Sequence, residues 1–166
     1  MIQVSRTIAV HRLLHRVASA PALFNRVLLC SPFFDRTMSA LLVSLAVSTR
    51  RAQCGFRVIT RPQAVDELRE CFPGHASRWS GTFVPVDGLH AKVYLAIGRR
   101  PVDTRAIVTS ANLTTAGLWE NLEIGVLAAP TSDAGNKIVS EVRDFLERLV
   151  DSPRRSLTAN DPRRAA

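Results

Sequence analysis

A chain of 166 residues, 46% of them hydrophobic, has the length and apolar content of one domain with a buried core. Its 22 Lys and Arg against 14 Asp and Glu leave a formal charge of +8, which points to anionic partners, either nucleic acid or an acidic membrane surface. Three cysteines in or beside apolar runs read as reduced structural thiols of a cytoplasmic protein; the opening residues lack the apolar core of a secretory signal, and the most apolar run, residues 40–47, is far too short to cross a bilayer.

Residues 7–18 place Ile8, Leu14 and Val17 among Arg12 and Arg16, which predicts an amphipathic helix ending before Pro21. His11 and His15 stand at i and i+4 on it. That spacing suits zinc, but with no intervening Glu and no nearby Cys they read as ordinary histidines, and no metal site is assigned. Residues 26–34 read as a buried strand. Asp35 then caps a helix over 37–52 with Leu41, Leu42, Leu45 and Val47 on its apolar side, and 56–60 form the next strand. Strand, helix and strand make a βαβ unit, which implies two parallel neighbours. Pro62 opens a second helix, carrying Val65, Leu68 and Phe72, that Pro73 and Gly74 stop. Residues 79–86 predict a strand paired through the Asp87–Gly88 turn with a strand over 91–97. Strands over 105–109 and 122–126 follow, then a helix capped by Ser132 or Asp133 whose Ile138, Val142, Phe145 and Leu149 repeat at helical spacing. From 151 to 166 the chain is Pro, Arg and small polar residues without period, a disordered basic tail to a domain of residues 1–150. The fold class expected is α/β, a mixed and mainly parallel sheet flanked by helices.

The residues with chemistry cluster between Gly88 and Gly125. If 91–97 is a strand, His90, Lys92 and Tyr94 share one face and Ala91, Val93, Leu95 and Ile97 the other; Asn121 and Glu123 likewise oppose Leu122, Ile124 and Val126. Ser110 and Asn112 stand where the middle strand ends, the position at which open α/β sheets keep their sites. An ammonium, an amide and a hydroxyl can hold the non-bridging oxygens of a phosphate, and an imidazole can attack phosphorus if a carboxylate holds its other nitrogen. No metal or other cofactor is needed. Ser110 lacks the glycine-flanked elbow of a serine nucleophile, and Tyr94 and Trp119 read as packing residues rather than stacking platforms.

At these residues the chain resembles the phospholipase D superfamily, whose signature is H-x-K-x4-D, then G-S-x-N and a Glu eleven residues after that Asn. Here the matching residues are His90 and Lys92, then Ser110 and Asn112, then Glu123. Ile97 stands where the family has Asp, and Thr109 where it has Gly; tyrosyl-DNA phosphodiesterases of the family also lack the Asp. The resemblance implies a phospholipase D-like fold and a metal-independent phosphodiesterase, a nuclease in the first instance, with catalytic His90, Lys92, Asn112 and Glu123 and phosphate held by Lys92, Ser110 and Asn112. The family's working site uses two copies of the His-Lys motif, and this chain has one. The expected partners are therefore a second copy of the chain, completing one shared active site, and nucleic acid, DNA before RNA, with no stable membrane insertion. The alternatives are a phospholipid hydrolase or phosphatidyl transferase and, given Ile97 and Thr109, a catalytically weakened nucleic-acid-binding module.

Overall fold

The structure, a computed structural model, describes residues 3–5, 8–71, 82–120 and 124–151. In chain order these form β1 (Gln3–Ser5), α1 (Ile8–Ser19), β2 (Phe24–Cys30), α2 (Arg36–Arg51), β3 (Gly55–Thr60), α3 (Pro62–Cys71), β4 (Phe83–Pro85), β5 (Val93–Gly98), β6 (Arg105–Thr109), β7 (Gly125–Ala128) and α4 (Asp133–Asp151). The seven strands make one sheet in the order β1-β7-β6-β5-β2-β3-β4.

The sheet is mixed, as expected, but its balance is corrected. Only β2–β3 and β3–β4 are parallel; β2–β5, β5–β6, β6–β7 and β1–β7 are antiparallel. The reason is that among the described residues no crossover helix separates β5, β6 and β7: each pairs antiparallel with the next. The βαβ unit is present as β2–α2–β3, with the α2 bounds one residue from those expected. Asp35 is its N-cap, accepting from Met38 N at 2.9 Å. Met38, Leu42, Leu45 and Ala46 are its buried face, whereas Val47, expected inside, is 40% exposed.

A second correction concerns the expected hairpin. Of the predicted strand over 79–86, residues 79–81 lie outside the described set. Phe83–Pro85 does not pair with the His90 segment; it is a short edge strand parallel to β3. Gly88, at a φ of +68°, turns the chain out of the sheet, and residues 89–92 cross the ends of β3 and β2 to enter β5 beside β2. Two contacts and one burial help fix this crossing: Arg61 Nε donates to Leu89 O at 2.9 Å, Cys30 Sγ contacts Ala91 O at 3.7 Å, and Leu89 is buried.

Side-chain alternation divides the core between the two faces of the sheet. Val27 and Leu29 of β2, Tyr94 and Ala96 of β5 and Ile107 of β6 pack with α1 and α2; Leu28, Cys30, Val93, Leu95 and Ala106 pack with Val142 and Leu146 of α4. Both faces of β5 are thus covered. Tyr94, expected on the polar face, is fully buried, with its hydroxyl donating to Ala111 O at 2.9 Å. Burial without a compensating charge pushes the Cys30 thiol up to about 12 and, outweighing the lowering effect of Arg99, the Cys54 thiol to about 11. Both are free and buried, as structural thiols are.

The last strand begins later than expected, at Gly125, and Ile124, predicted to face the core, is 68% exposed; the expected residues 121–123 lie outside the described set. Ser132 Oγ accepts from Gly135 N at 3.2 Å, so Ser132 caps α4. The predicted basic tail falls outside the described residues beyond Asp151. β1 was not foreseen, because three residues carry too little pattern to read as a strand.

Candidate active site

Strand direction converts sequence distance into proximity. Antiparallel β5 starts where β2 ends, with Val93 opposite Cys30; β6 ends where β5 starts, with Val108 opposite Val93; and β7 starts where β6 ends, with Gly125 opposite Thr109. The segments just past Cys30, Thr60 and Thr109 and those just before Val93 and Gly125 therefore all gather at one end of the strands. His90, Lys92, Ser110 and Asn112 lie in these segments.

His90 and Lys92 are not on a strand face, as the sequence pattern suggested, but in the crossing loop, three residues and one residue before β5 begins at Val93. Lys92 Nζ lies 3.5 Å from His90 Nε2 and donates to His90 O at 3.2 Å. The loop is held on its far side by Thr109 N, which donates to Lys92 O at 3.1 Å. His90 is exposed and Lys92 half-buried, so imidazole and ammonium face the same solvent-accessible space. The pair is placed to meet one anion.

Opposite them, Ser110 is tied to the start of the next strand. Its N donates to Ile124 O at 3.0 Å and its Oγ accepts from Ile124 N at 3.1 Å. Thr109, the departure from glycine, has its own task there: its hydroxyl donates to Ile124 O at 2.9 Å and accepts from Ala111 N at 3.1 Å. Asn112 Oδ1 is buried and has no hydrogen-bond partner among the described residues. An unpaired buried amide oxygen is costly. Being an acceptor it does not itself meet an anion; the hydrogens of Nδ2 are the part of this side chain that can. Glu123 lies outside the described residues, so its placement beside a histidine is not described. Ile97, the other departure, sits at the opposite end of β5 opposite Arg26, on the order of 15 Å from the site at about 3.3 Å per strand residue. It packs against the α4-side core.

Sequence reasoning missed the parts that hold this end of the sheet together. Ser31, fully buried, accepts from Leu113 N at 2.9 Å and donates to Phe33 O at 2.8 Å, and Phe34 bridges Leu113 in parallel. Asp35 also accepts from Thr115 N. Although burial disfavours its charge, the hydrogen bonds from Met38, Thr115 and Thr37 hold its carboxyl below the usual carboxylate range. The available signal was position: Ser31 to Asp35 and Arg61 are the residues directly after β2 and β3.

His11 and His15 are both exposed, with ring centroids 6.3 Å apart on α1. Among the described residues no three His, Cys, Asp or Glu side chains come together as a metal site requires, and no helix is long and apolar enough to cross a membrane.

No protein-family model matches the chain, and no curated protein matches it either. Solved structures do. Nuc from Salmonella typhimurium, a phospholipase D family member, superposes with a TM-score of 0.55 at 15% identity over 87% of this chain and 92% of that one. NucT from Helicobacter pylori gives 0.52 at 14% identity, over 89% of this chain and 96% of that one. TrmBL2, an archaeal chromatin protein with a described mode of DNA binding, gives 0.53 at 10% identity, over 89% of this chain and 52% of that one. At these identities the likeness is one of fold. The chain has the phospholipase D fold.

Proposed function

We propose that the protein is a metal-independent phosphodiesterase, a nuclease acting through a phosphohistidine, assembled as a homodimer around one shared site. The observation that carries the reading is the convergence of His90, Lys92, Ser110 and Asn112 at one end of the central strands, with Lys92 Nζ 3.5 Å from His90 Nε2. His90 of one subunit attacks phosphorus, the P–O bond to the leaving group breaks, and His90 of the second subunit protonates the departing oxygen. Water, deprotonated by that second histidine, then displaces the first and releases the phosphate ester. Lys92 and Asn112 bear the charge that builds on the non-bridging oxygens, Ser110 supports them, and Glu123 orients an imidazole through its second nitrogen. One motif per chain supplies one histidine, and a two-fold axis through the site supplies the other.

Nucleic acid is the substrate class the charge favours, since a formal +8 carried almost wholly by Arg suits repeated phosphate contacts. The test is cleavage of single- and double-stranded DNA and RNA in excess EDTA by wild type and His90→Ala. Cleavage by the wild type alone, unaffected by chelator and inhibited by vanadate, is expected. Loss of wild-type cleavage in chelator with rescue by Mg2+ or Zn2+ would refute the mechanism.

A further inference from the structure

Beside the His90 loop lies a pocket of about 350 Å³ at the ends of β2 and β3, walled by Phe33, Phe34, Pro62 and Ala64, with Arg61, Glu67 and Asp87 at its polar margin. None of these residues has a part in the chemistry proposed above. Its volume is at the small end of ligand sites, enough for one ring system and its attached sugar.

Phe33 is the unusual residue. It lies in the Ser-Pro-Phe-Phe turn between two buried neighbours, yet is itself 45% exposed. Its backbone is held rigidly: Phe33 O accepts from Ser31 Oγ, which in turn is held by Leu113 N, and Phe34 is fastened to Leu113. The Arg61 guanidinium covers the ring, its central carbon 4.5 Å from the centroid, while Nε donates to Leu89 O, the residue before His90. A fixed, half-exposed aromatic ring backed by a guanidinium plane is a stacking platform that costs little ordering entropy when a ligand arrives. It is also physically coupled to the loop that carries the nucleophile.

The charges around the pocket select the ligand. Glu67 and Asp87, both exposed, offset Arg61, so the pocket is unsuited to a second phosphate. It suits a neutral planar ring with amino or imino hydrogens for the two carboxylates. We propose that this pocket is a nucleobase subsite, in which the base next to the scissile phosphate stacks on the exposed part of Phe33 with Arg61 holding the ring in place. The inference rests on nucleic acid being the substrate and adds that the chain grips an unpaired base, hence a single strand or a frayed end.

The experiment measures equilibrium binding of a fluorescent single-stranded hexanucleotide and of an abasic sugar-phosphate chain of equal length to the full-length His90→Ala protein. Added to that background, Phe33→Ala is expected to weaken the hexanucleotide at least about fivefold, the lower end of base-stacking effects, and to leave the abasic chain unchanged. Phe33→Trp is expected to restore binding and Phe33→Leu is not. Equal weakening of both chains, no weakening of either, or rescue by Leu as good as by Trp would overturn the subsite. Failure of both chains to bind the unsubstituted background would overturn the subsite and the nucleic-acid reading together. Wild-type cleavage that persists with no base dependence through Phe33 would overturn the subsite alone.

Discussion

Asn112 separates stability from function most sharply. Its buried Oδ1 has no hydrogen-bond partner among the described residues, a state that typically costs about 1–3 kcal/mol. Asn112→Ala removes that cost together with the amide that would hold a non-bridging oxygen. Cleavage is expected to fall by about a hundredfold or more, as for loss of one oxyanion donor, while the urea midpoint stays level or rises. A fall in both would mean that the amide serves the fold. At this scale the sequence singled out the side chains that the proposed chemistry uses, because His90, Lys92, Ser110 and Asn112 are an unusual set at a spacing with a physical use. It was silent on Ser31, Phe33 and Arg61, whose letters are ordinary and whose roles come from partners 82, 2 and 28 positions away.

Elements show where periodicity works and where it fails. The helix over Arg36–Arg51 was legible because an N-cap Asp precedes a sustained apolar repeat, and both signals are local. The Phe83–Pro85 strand was misassigned because the Asp87–Gly88 turn looks the same whether it closes a hairpin or launches a crossing; the difference lies in β3, already waiting with Thr60 O for Val86 N at 2.8 Å. The end of α2 carries its own prediction. Gln53 adopts a φ of +55°, with its N donating to Arg50 O at 3.1 Å and Cys54 N to Thr49 O at 2.8 Å, a helix-ending turn that favours glycine. Gln53→Gly is expected to stabilise the protein by about 0.5–1 kcal/mol, read as a higher urea midpoint with unchanged slope. A lower midpoint would show that the Gln side chain contributes more than its backbone costs.

For the whole molecule, the question is whether one site belongs to one chain or to two. Mixing wild type with His90→Ala at a wild-type fraction f, with subunit exchange confirmed by mass-tagged chains, distinguishes these. A shared site needing both His90 residues gives activity proportional to f squared, about one quarter at equal mixing; independent sites give f, about one half. A linear response, or a monomer cleaving at full rate, would refute the shared site. The α/β class and the first βαβ unit could be read from the sequence at this scale because they rest on alternation and length. The excess of antiparallel pairing could not, since nothing local to residues 93–98 says that they insert beside β2 rather than beside β4.

That insertion has a consequence in time. Cys30 meets Ala91 across 61 positions and Ser31 meets Leu113 across 82, so the strand ends that carry the proposed site cannot form from any local stretch of chain. Pairings of such separation close long loops before they are rewarded, which slows folding towards the millisecond-to-second range and gathers the gain late. In refolding from urea, the capacity to bind oligonucleotide should therefore emerge in the same kinetic phase as the global far-ultraviolet signal and never before it. The βαβ unit can form early, but the site arrives only when β5 docks.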